Sequence, residues 1–272
     1  MKRKSILSLV LSGILAISLI GCGGRSSVSN DDKTIKIGVS PVPHKEIVEQ
    51  AVEELEAKGY TVEIVEFDDY VLPNTAVEEG ELDANYFQHI AYLNTFNQEN
   101  GTHLVYTAEI HLEPMGVFSY KYKSIDEIED GATIAVPDDS SNETRALRVL
   151  EAAGLIELAD SDILKVSDII SNPKNLQISE LTAASLPRVL EEVDMAVING
   201  NYALEAGLDV NENAFYSEDK NKDSLKERRN VLAVKEGTEN SEKIKDLTKA
   251  LTSDKVRDFI NEKYKGAVVP VF

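Results

Sequence analysis

Disulfide bonds, basic surfaces and long apolar segments are what this sequence lacks. It has one cysteine, Cys22, so an intramolecular disulfide is excluded. Lysine and arginine number 28 against 48 aspartates and glutamates, and the resulting net charge of −20 argues against nucleic acids and anionic lipid headgroups as partners. After Ile20, no apolar run is long enough to cross a bilayer. With 42% hydrophobic residues, the chain can still build sizeable cores.

Catalytic signatures are also missing. The sequence contains no G-x-S-x-G, no H-E-x-x-H, no Walker loop and no G-x-G-x-x-G. Ser217 and Lys220 match S-x-x-K, but they lie in a polar stretch without the companion motifs. The histidines form no H-x-H or H-x₃-H pair, so a metal could be held only by distant ligands; they are His44, His89, His103 and His111. We therefore expect no enzymatic activity, no cofactor and no resident metal.

The first 21 residues have the organisation of a secretory signal peptide. Basic residues 2–4 (KRK) precede an apolar stretch over 6–20, which is too short and wrongly flanked for a stable membrane span. The sequence LIGC, which ends at Cys22, resembles the bacterial lipobox, in which the cysteine thiol carries diacylglycerol. Each buried methylene contributes about 0.8 kcal/mol, so two acyl chains anchor a protein that one chain holds only marginally.

Cleavage before Cys22 gives a mature chain of 251 residues with a formal charge of −23. Its first residues, 22–33, are small and polar after the cysteine (GGRSSVSNDD over 23–32) and predict a lipid-anchored flexible tether. The predicted location is the cell membrane, on its extracytoplasmic face. The remaining length fits two lobes of ordinary size or one large domain.

Strand and helix patterns alternate along the mature chain, which predicts α/β units with largely parallel sheets. No repeat of fixed period is present. The predicted strands are 35–40, 61–67, 104–110, 116–120, 133–137, 176–181, 195–199 and 230–234. The predicted helices are 44–58, 71–79, 90–99, 143–153, 184–192, 202–206, 242–251 and 255–263. The acidic, lysine-rich stretch 217–229 is interpreted as a loop or a surface helix.

The segment 133–153 predicts a receptor for a carboxylate. A buried-type strand, TIAVP, leads into a helix start at Ser140, and Ser140 with Glu143 has the spacing of a capping box. Asn142 and Arg145 then lie on the first turns, where free backbone N–H groups and a guanidinium converge. The alternative is that Arg145 forms an ion pair on a solvated helix face with one of three carboxylates: Glu143, Asp138 or Glu151.

Aromatic and amide side chains cluster at other predicted strand ends. Aromatic walls with a few fixed amides are typical of a small-ligand cleft, although each aromatic taken singly is better explained by burial in a core. The aromatic and histidine positions are Tyr70, Phe87, His89 and Tyr92. The amide positions are Asn199, Asn201 and Asn230.

Several of these residues lie within a set of phrases that run in order over the mature chain and resemble the MetQ/NlpA family, the methionine-binding lipoproteins of bacterial ABC importers. The phrases are FDDYVLPN (67–74), ELDANYFQH (81–89), EPMG (113–116), TIAVP (133–137), NPKNL (172–176), LPR (186–188), AVINGNYA (196–203) and YKGAVVPVF (264–272).

The resemblance implies a two-lobed, periplasmic-binding-protein-like type II α/β fold with a ligand cleft between the lobes. Lobe 1 would comprise 34–120 plus 230–272, so that the carboxyl end returns to it, and lobe 2 would comprise 121–229. The partners it implies are methionine or a methionine dipeptide, an ABC permease with its ATPase, and the membrane through the lipid anchor.

The resemblance also places the ligand. The carboxylate-binding arginine falls on Arg145 with Asn142 beside it, and Asn199 and Asn230 are expected near the ligand's polar groups. The sequence LKERRNVLAV around Asn230 departs from the lead-in of many relatives, so the register is least defined there. The cage for the thioether side chain falls on Tyr70, Phe87, His89 and Tyr92.

Three other classes remain open. A binder of a glycyl-methionine type dipeptide needs a partner for a displaced amino group, for which Glu113 is a candidate. A lipoprotein hydrolase needs an activated nucleophile, which the sequence does not offer. An adhesin or structural lipoprotein has no use for Asn142, Arg145, Asn199 and Asn230 in one cleft.

Overall fold

Two β-sheets, each flanked by helices, organise the part of the chain that the structure describes. The structure is a computed structural model that describes residues 33–219 and 223–272. Lys33–Phe272 form one compact unit. The predicted signal peptide, Cys22 and the tether up to Asp32 lie outside the described residues.

The first sheet has six strands in the order β13-β4-β12-β3-β1-β2. Strand β1 pairs in parallel with β2 and β3, whereas β12 runs antiparallel to both β3 and β4. The short last strand pairs with β4, so the carboxyl end does return to the first sheet. The strands are β1 (Thr34–Val39), β2 (Thr61–Glu66), β3 (Ala84–His89), β4 (Leu104–Leu112), β12 (Arg229–Lys235) and β13 (Val269–Pro270).

The second sheet has five strands in the order β11-β5-β10-β6-β9. Strand β6 lies between the parallel neighbours β10 and β9, and β5 is antiparallel to β10 and β11. Its strands are β5 (Gly116–Phe118), β6 (Thr133–Pro137), β9 (Gln177–Leu181), β10 (Met195–Ile198) and β11 (Ala214–Ser217). A separate antiparallel pair consists of β7 (Glu157–Leu158) and β8 (Ile169–Ser171).

Helices cover these sheets because their apolar residues recur at helical spacing. In α1, for example, Ile47, Val48, Ala51 and Leu55 are buried against the first sheet, and a left-handed Gly59 follows the helix end. The helices are α1 (Glu46–Ala57), α2 (Leu72–Glu79), α3 (Ile90–Asn100), α4 (Ser140–Ala152), α5 (Leu186–Val189), α6 (Gly200–Glu205), α7 (Glu242–Leu251) and α8 (Asp254–Tyr264). None of the helices in the described ranges is long and apolar enough to cross a bilayer.

The observed sheets differ from the sequence-based expectation in three ways. They are mixed rather than largely parallel, because β12 re-enters the first sheet and β5 enters the second sheet in the antiparallel direction. Five strands were not predicted: β3, β7, β8, β11 and β13. The sequence of β3, ANYFQH, is half polar although every residue is buried. Strand β5, which the predicted division at residue 120 places in lobe 1, pairs in the second sheet.

The topology brings several strand ends to one place. The chain leaves β3 at His89, and Asn230 near the start of antiparallel β12 pairs directly with it. In the second sheet, β6 and β10 are parallel and end before Asp139 and Asn199. In open α/β sheets, ligands bind outside the carboxyl ends of strands, so these residues mark the place to search for a site.

Candidate ligand-binding site

One buried cavity collects the predicted ligand-binding residues. It contains about 310 Å³ of empty space, part of which is open to solvent. All eight predicted residues line it: Tyr70, Phe87, His89, Tyr92, Asn142, Arg145, Asn199 and Asn230. Four further residues complete the lining: Gln88, Glu113, Gly200 and Asn201.

Helix α4 carries two of these residues into the cavity, and its cap differs from the predicted one. The helix does begin at Ser140, but the cap is Asp139, whose Oδ1 accepts a hydrogen bond from the Asn142 backbone N–H at 2.9 Å. The predicted capping box of Ser140 and Glu143 is therefore wrong. The Ser140 hydroxyl donates to Glu99, and Glu143 accepts from the Val166 backbone N–H.

Arg145 is a buried cation, which contradicts its alternative interpretation as a surface ion pair. Its side chain is only 4% exposed. Nε and Nη2 donate to the two carboxylate oxygens of Glu218 at 2.9 and 2.6 Å, and Nη2 also donates to the Glu113 carbonyl at 2.7 Å. Burial alone would lower the pKa of Arg145, but the pairing with Glu218 outweighs it and raises the pKa. A permanent positive charge therefore lies at the cavity wall.

Asn142 connects the two sheets across the cavity. Its Oδ1 accepts hydrogen bonds from His89 Nε2 at 3.1 Å and from Asn199 Nδ2 at 2.8 Å. The His89 Nδ1 accepts from the Tyr92 backbone N–H, which assigns the proton of the neutral ring to Nε2. Burial, together with the positive charge of Arg145, lowers the pKa of His89 well below its usual value. His89 is therefore an uncharged donor.

Aromatic rings form the other wall. The Tyr70 ring centroid lies 5.6 Å from that of Phe87, 5.5 Å from Tyr92 and 4.9 Å from Tyr202. The Tyr70 hydroxyl donates to Asn201 Oδ1 at 2.5 Å, and the Tyr92 hydroxyl donates to the Tyr70 carbonyl at 3.1 Å. Because these hydroxyls bond to protein, the ring faces remain as an apolar surface.

Two amide atoms in the cavity lining have no hydrogen-bonding partner among the described residues. They are Asn199 Oδ1, an acceptor, and Asn201 Nδ2, a donor. Buried polar groups are almost always paired, and leaving one unpaired costs about 1–3 kcal/mol. A ligand that offers both a donor and an acceptor would satisfy both amides.

Glu113 supplies a buried negative charge to the same cavity. Its Oε1 accepts from His111 Nε2 at 2.6 Å and lies 3.5 Å from His44 Nε2, while Tyr86 bonds the other ring nitrogen of His111. Burial raises the pKa of Glu113, but the hydrogen bond and charge of His111, together with the charge of Arg145, lower it below its usual value. The carboxylate is therefore ionised although its side chain is only 5% exposed.

Gly200 allows Glu113 to reach this position. A Cβ atom at residue 200 would lie 2.7 Å from the Glu113 Cβ and 2.9 Å from its Oε2. Side-chain atoms do not approach this closely, so any larger residue at 200 would displace Glu113. The glycine of the AVINGNYA phrase is thus explained by packing against the carboxylate.

His44, His111 and Glu113 also have the donor types of a metal site, with their ligand atoms within 4.8 Å of one another. Hydrogen bonds occupy most of these atoms: His44 Nε2 contacts Asn230 Oδ1 at 3.1 Å, and both nitrogens of His111 are bonded, whereas His44 Nδ1 has no partner among the described residues. Burial lowers the pKa of His44 to about 4, so its ring is neutral. We interpret the cluster as a support for ionised Glu113, and the absence of a resident metal stays a prediction.

Two partners of the site, Glu218 and His44, were not predicted from the sequence. Glu218 lies in the stretch interpreted as a loop or surface helix, yet its side chain is 10% exposed and pairs with Arg145. His44 was left outside the predicted site, yet it is 1% exposed and lies beside Glu113 and Asn230. No local pattern marks either residue. Gln88 had a visible signal, since it stands between the predicted Phe87 and His89.

Comparison with known proteins gives the family. A model of the NlpA lipoprotein family matches residues 35–272. The methionine-binding lipoprotein MetQ of Bacillus subtilis is 39% identical to this chain, in an alignment that covers 97% of this chain and 96% of MetQ. A nutrient-binding protein from Burkholderia cenocepacia, solved bound to methionine, is 41% identical with a TM-score of 0.82 and covers 88% of this chain and 100% of its own.

The substrate-binding protein of a methionine transporter from Streptococcus pneumoniae is 36% identical with a TM-score of 0.83, covering 88% of this chain and 96% of its own. These likenesses confirm the predicted periplasmic-binding-protein-like α/β fold, since the similar structures are substrate-binding proteins. They also confirm the resemblance drawn from the sequence phrases. The chain belongs to the NlpA lipoprotein family.

Proposed function

We propose that this protein captures methionine outside the cytoplasm and delivers it to an ABC import permease, without changing any bond of the ligand. The observation that carries the proposal is one buried cavity in which a cation, an anion and two unpaired amide atoms face an aromatic wall. A free amino acid with an apolar side chain has complementary groups for all of them. The methionine-binding relatives support methionine as that amino acid.

The polar end of the cavity matches a zwitterion. Arg145 and the unpaired Asn201 Nδ2 supply donors for the ligand carboxylate. Ionised Glu113 and the unpaired Asn199 Oδ1 supply acceptors for its ammonium group. Each charge of the ligand thereby meets the opposite charge in a site from which water is largely excluded, where electrostatic interactions are strong.

The aromatic wall receives the side chain. Tyr70, Phe87 and Tyr92 offer ring faces, with neighbouring centroids 5.5–6.1 Å apart. A thioether against aromatic rings gains about 0.3–1.5 kcal/mol per contact, so several rings together favour methionine over a polar side chain. His89 and Tyr92 belong to the same wall, in agreement with the cage implied by the family resemblance.

Binding would close the molecule around the ligand. We assign the two sheets, with their helices, to two lobes that meet at this cavity, and β5 then belongs to the second lobe. Cross-cavity hydrogen bonds such as His89 to Asn142 and Tyr70 to Asn201 form only when the lobes are close. Ligand contacts from both sides favour the closed state, which docks on the permease while its ATPase drives release.

The lipid anchor would keep the protein beside the permease. Cys22 carries the diacylglycerol in this proposal, and residues up to Asp32 form the tether. Membership of a lipoprotein family supports the anchor. The extracytoplasmic face follows from the signal peptide that precedes Cys22.

Mass spectrometry of the protein purified from membranes tests both parts. Under native conditions we expect each chain to retain one methionine, because a buried zwitterion dissociates slowly. Retention of a methionine dipeptide would correct the ligand, and retention of an unrelated molecule would contradict the proposal. After denaturation the mass should correspond to a chain that begins at diacylated Cys22; a chain that still carries residues 1–21 would rule out the anchor.

A further inference from the structure

Glu218 lies where the chain passes between the two sheets. It follows β11, whose Ser217 pairs with Gly116 of β5. Its backbone N–H donates to the Met115 carbonyl at 3.0 Å, and its Oε2 accepts from the Met115 backbone N–H at 2.8 Å. Met115 belongs to the short connection between β4 of the first sheet and β5 of the second. The Glu218 side chain is therefore fixed to a crossover of the fold.

The same carboxylate binds the Arg145 guanidinium from the side that faces away from the ligand cavity. Its two oxygens accept from Arg145 Nε and Nη2 at 2.9 and 2.6 Å, a two-point pairing that fixes the plane of the guanidinium. Arg145 lines the ligand cavity, whereas Glu218 lines a different cavity of about 540 Å³ together with Arg148 and Val149. The two acidic partners of Arg145, Glu218 and a ligand carboxylate, therefore do not compete for the same side of the guanidinium.

Only some of the N–H groups of Arg145 are bonded to protein, and the others remain for a ligand. A guanidinium has five N–H donors. The bonds to Glu218 and to the Glu113 carbonyl use the Nε donor and both donors of Nη2. The two donors of Nη1 make no hydrogen bond with the described residues. They are the ones available to a carboxylate in the cavity.

We infer that Glu218 is a positioning residue that sets the affinity for the ligand carboxylate by fixing Arg145 with Nη1 towards the cavity. The inference rests on the proposed function, because it assumes that the ligand carboxylate binds Arg145. Without the pairing to Glu218, the Arg145 side chain could rotate to bond Glu113 or Asp139. Ligand binding would then have to return the guanidinium to its position at the cavity. Ordering one free, rotamer-rich side chain when the ligand binds lowers the affinity by roughly twofold to tenfold.

Glu218→Gln tests the inference with two ligands, L-methionine and L-methioninol, which has a hydroxyl in place of the carboxylate. We expect the affinity for methionine to fall by roughly twofold to tenfold, and the affinity for methioninol to stay unchanged. In a ¹⁵N NMR spectrum, the Arg145 Nε–H resonance, protected in the native protein, should exchange rapidly in the variant. A loss confined to the carboxylate-bearing ligand separates positioning from general damage.

Glu151→Gln is the matched control. Glu151 pairs with Arg148 at 2.8 Å on the same helix but does not touch Arg145, so both ligands should bind as in the native protein. Equal weakening of both ligands by Glu218→Gln would reduce Glu218 to a structural role. Unchanged methionine binding would mean that Arg145 is positioned without Glu218. Tighter binding would mean that Glu218 competes with the ligand carboxylate. Either result overturns the inference.

Glu218→Asp covers the case in which the glutamine variant does not fold. It keeps the charge but is one methylene shorter, so it cannot reach both Met115 and the guanidinium. We expect a smaller loss for methionine alone, and native-like methionine binding would overturn the inference. Failure of the proposed function is visible separately, because the unmodified protein would then not bind methionine.

Discussion

Arg145→Ala is expected to abolish measurable methionine binding in a calorimetric titration. The variant leaves the ligand carboxylate without its main partner in a buried site, and losing one member of such a charge pair costs about 2–5 kcal/mol. This corresponds to roughly 30-fold to several thousand-fold in affinity. The geometry supports the upper part of that range, since the Arg145 side chain is 4% exposed and already held by Glu218.

Arg148→Ala is the control for this prediction. Arg148 lies three residues further along α4, is 43% exposed and pairs with Glu151. A solvent-exposed pair contributes at most about 1 kcal/mol, so methionine should bind nearly normally. Because Arg145→Ala leaves Glu218 unpaired, its thermal unfolding must be checked, and Arg145→Lys serves as a folded alternative that keeps the charge but loses the planar fork. Equal, small effects at both positions would mean that the site lies elsewhere.

Glu113→Gln is expected to weaken methionine binding by a similar amount, because it removes the charge that the ligand ammonium group faces. The change keeps the shape of the side chain, and the glutamine Oε1 can still accept from His111, which lies 2.6 Å away in the native protein. The loss should therefore appear in affinity, at about 2–5 kcal/mol. N-acetylmethionine, whose nitrogen carries no charge, should bind weakly and equally to both proteins.

Glu143→Gln provides a matched buried control. Glu143 lies on α4 outside the cavity lining, and burial with the neighbouring Glu180 raises its pKa to about 7, so glutamine resembles its protonated form. Methionine binding should be unchanged. If Glu113→Gln also bound methionine like the native protein, the ammonium group would be held by the amides alone, and the assigned orientation of the ligand would be wrong.

Local patterns were enough to predict most helices and the strand-to-helix segment that carries Arg145 to the site. The strand TIAVP, the helix start at Ser140 and the position of Arg145 five residues later follow from hydrophobicity and helical spacing, and the structure has all three. The cap itself was wrong by one residue, because Asp139 and Ser140 are both good caps and spacing alone could not choose between them. Strand β3 was missed because its polar residues are buried by long-range pairing: Asn85 and Gln88 bond to Asn74 of α2, and His89 bonds to Asn142.

Long-range partners could not be predicted from local patterns. Arg145 and Glu218 are 73 residues apart in the sequence, and His44 contacts Asn230 over 186 residues. Only the fold brings them together, and a polar stretch such as 217–229 looks solvated until its neighbour is known. The resemblance identified residues that line the cavity, whereas their buried partners Glu218 and His44 became visible only in the structure.

The most direct measurement is the thermal unfolding of refolded, ligand-free protein from Gly23 onward, with and without L-methionine. A ligand that binds only the folded state adds RT ln(1 + [L]/Kd), so at about 100 times Kd it should add about 2.7 kcal/mol to the free energy of unfolding. We expect this stabilisation with methionine and its absence with methionine in Arg145→Ala. If neither methionine, nor any other amino acid, nor a methionine dipeptide shifts the unfolding of the native protein, the account of an amino-acid-binding transport protein is wrong.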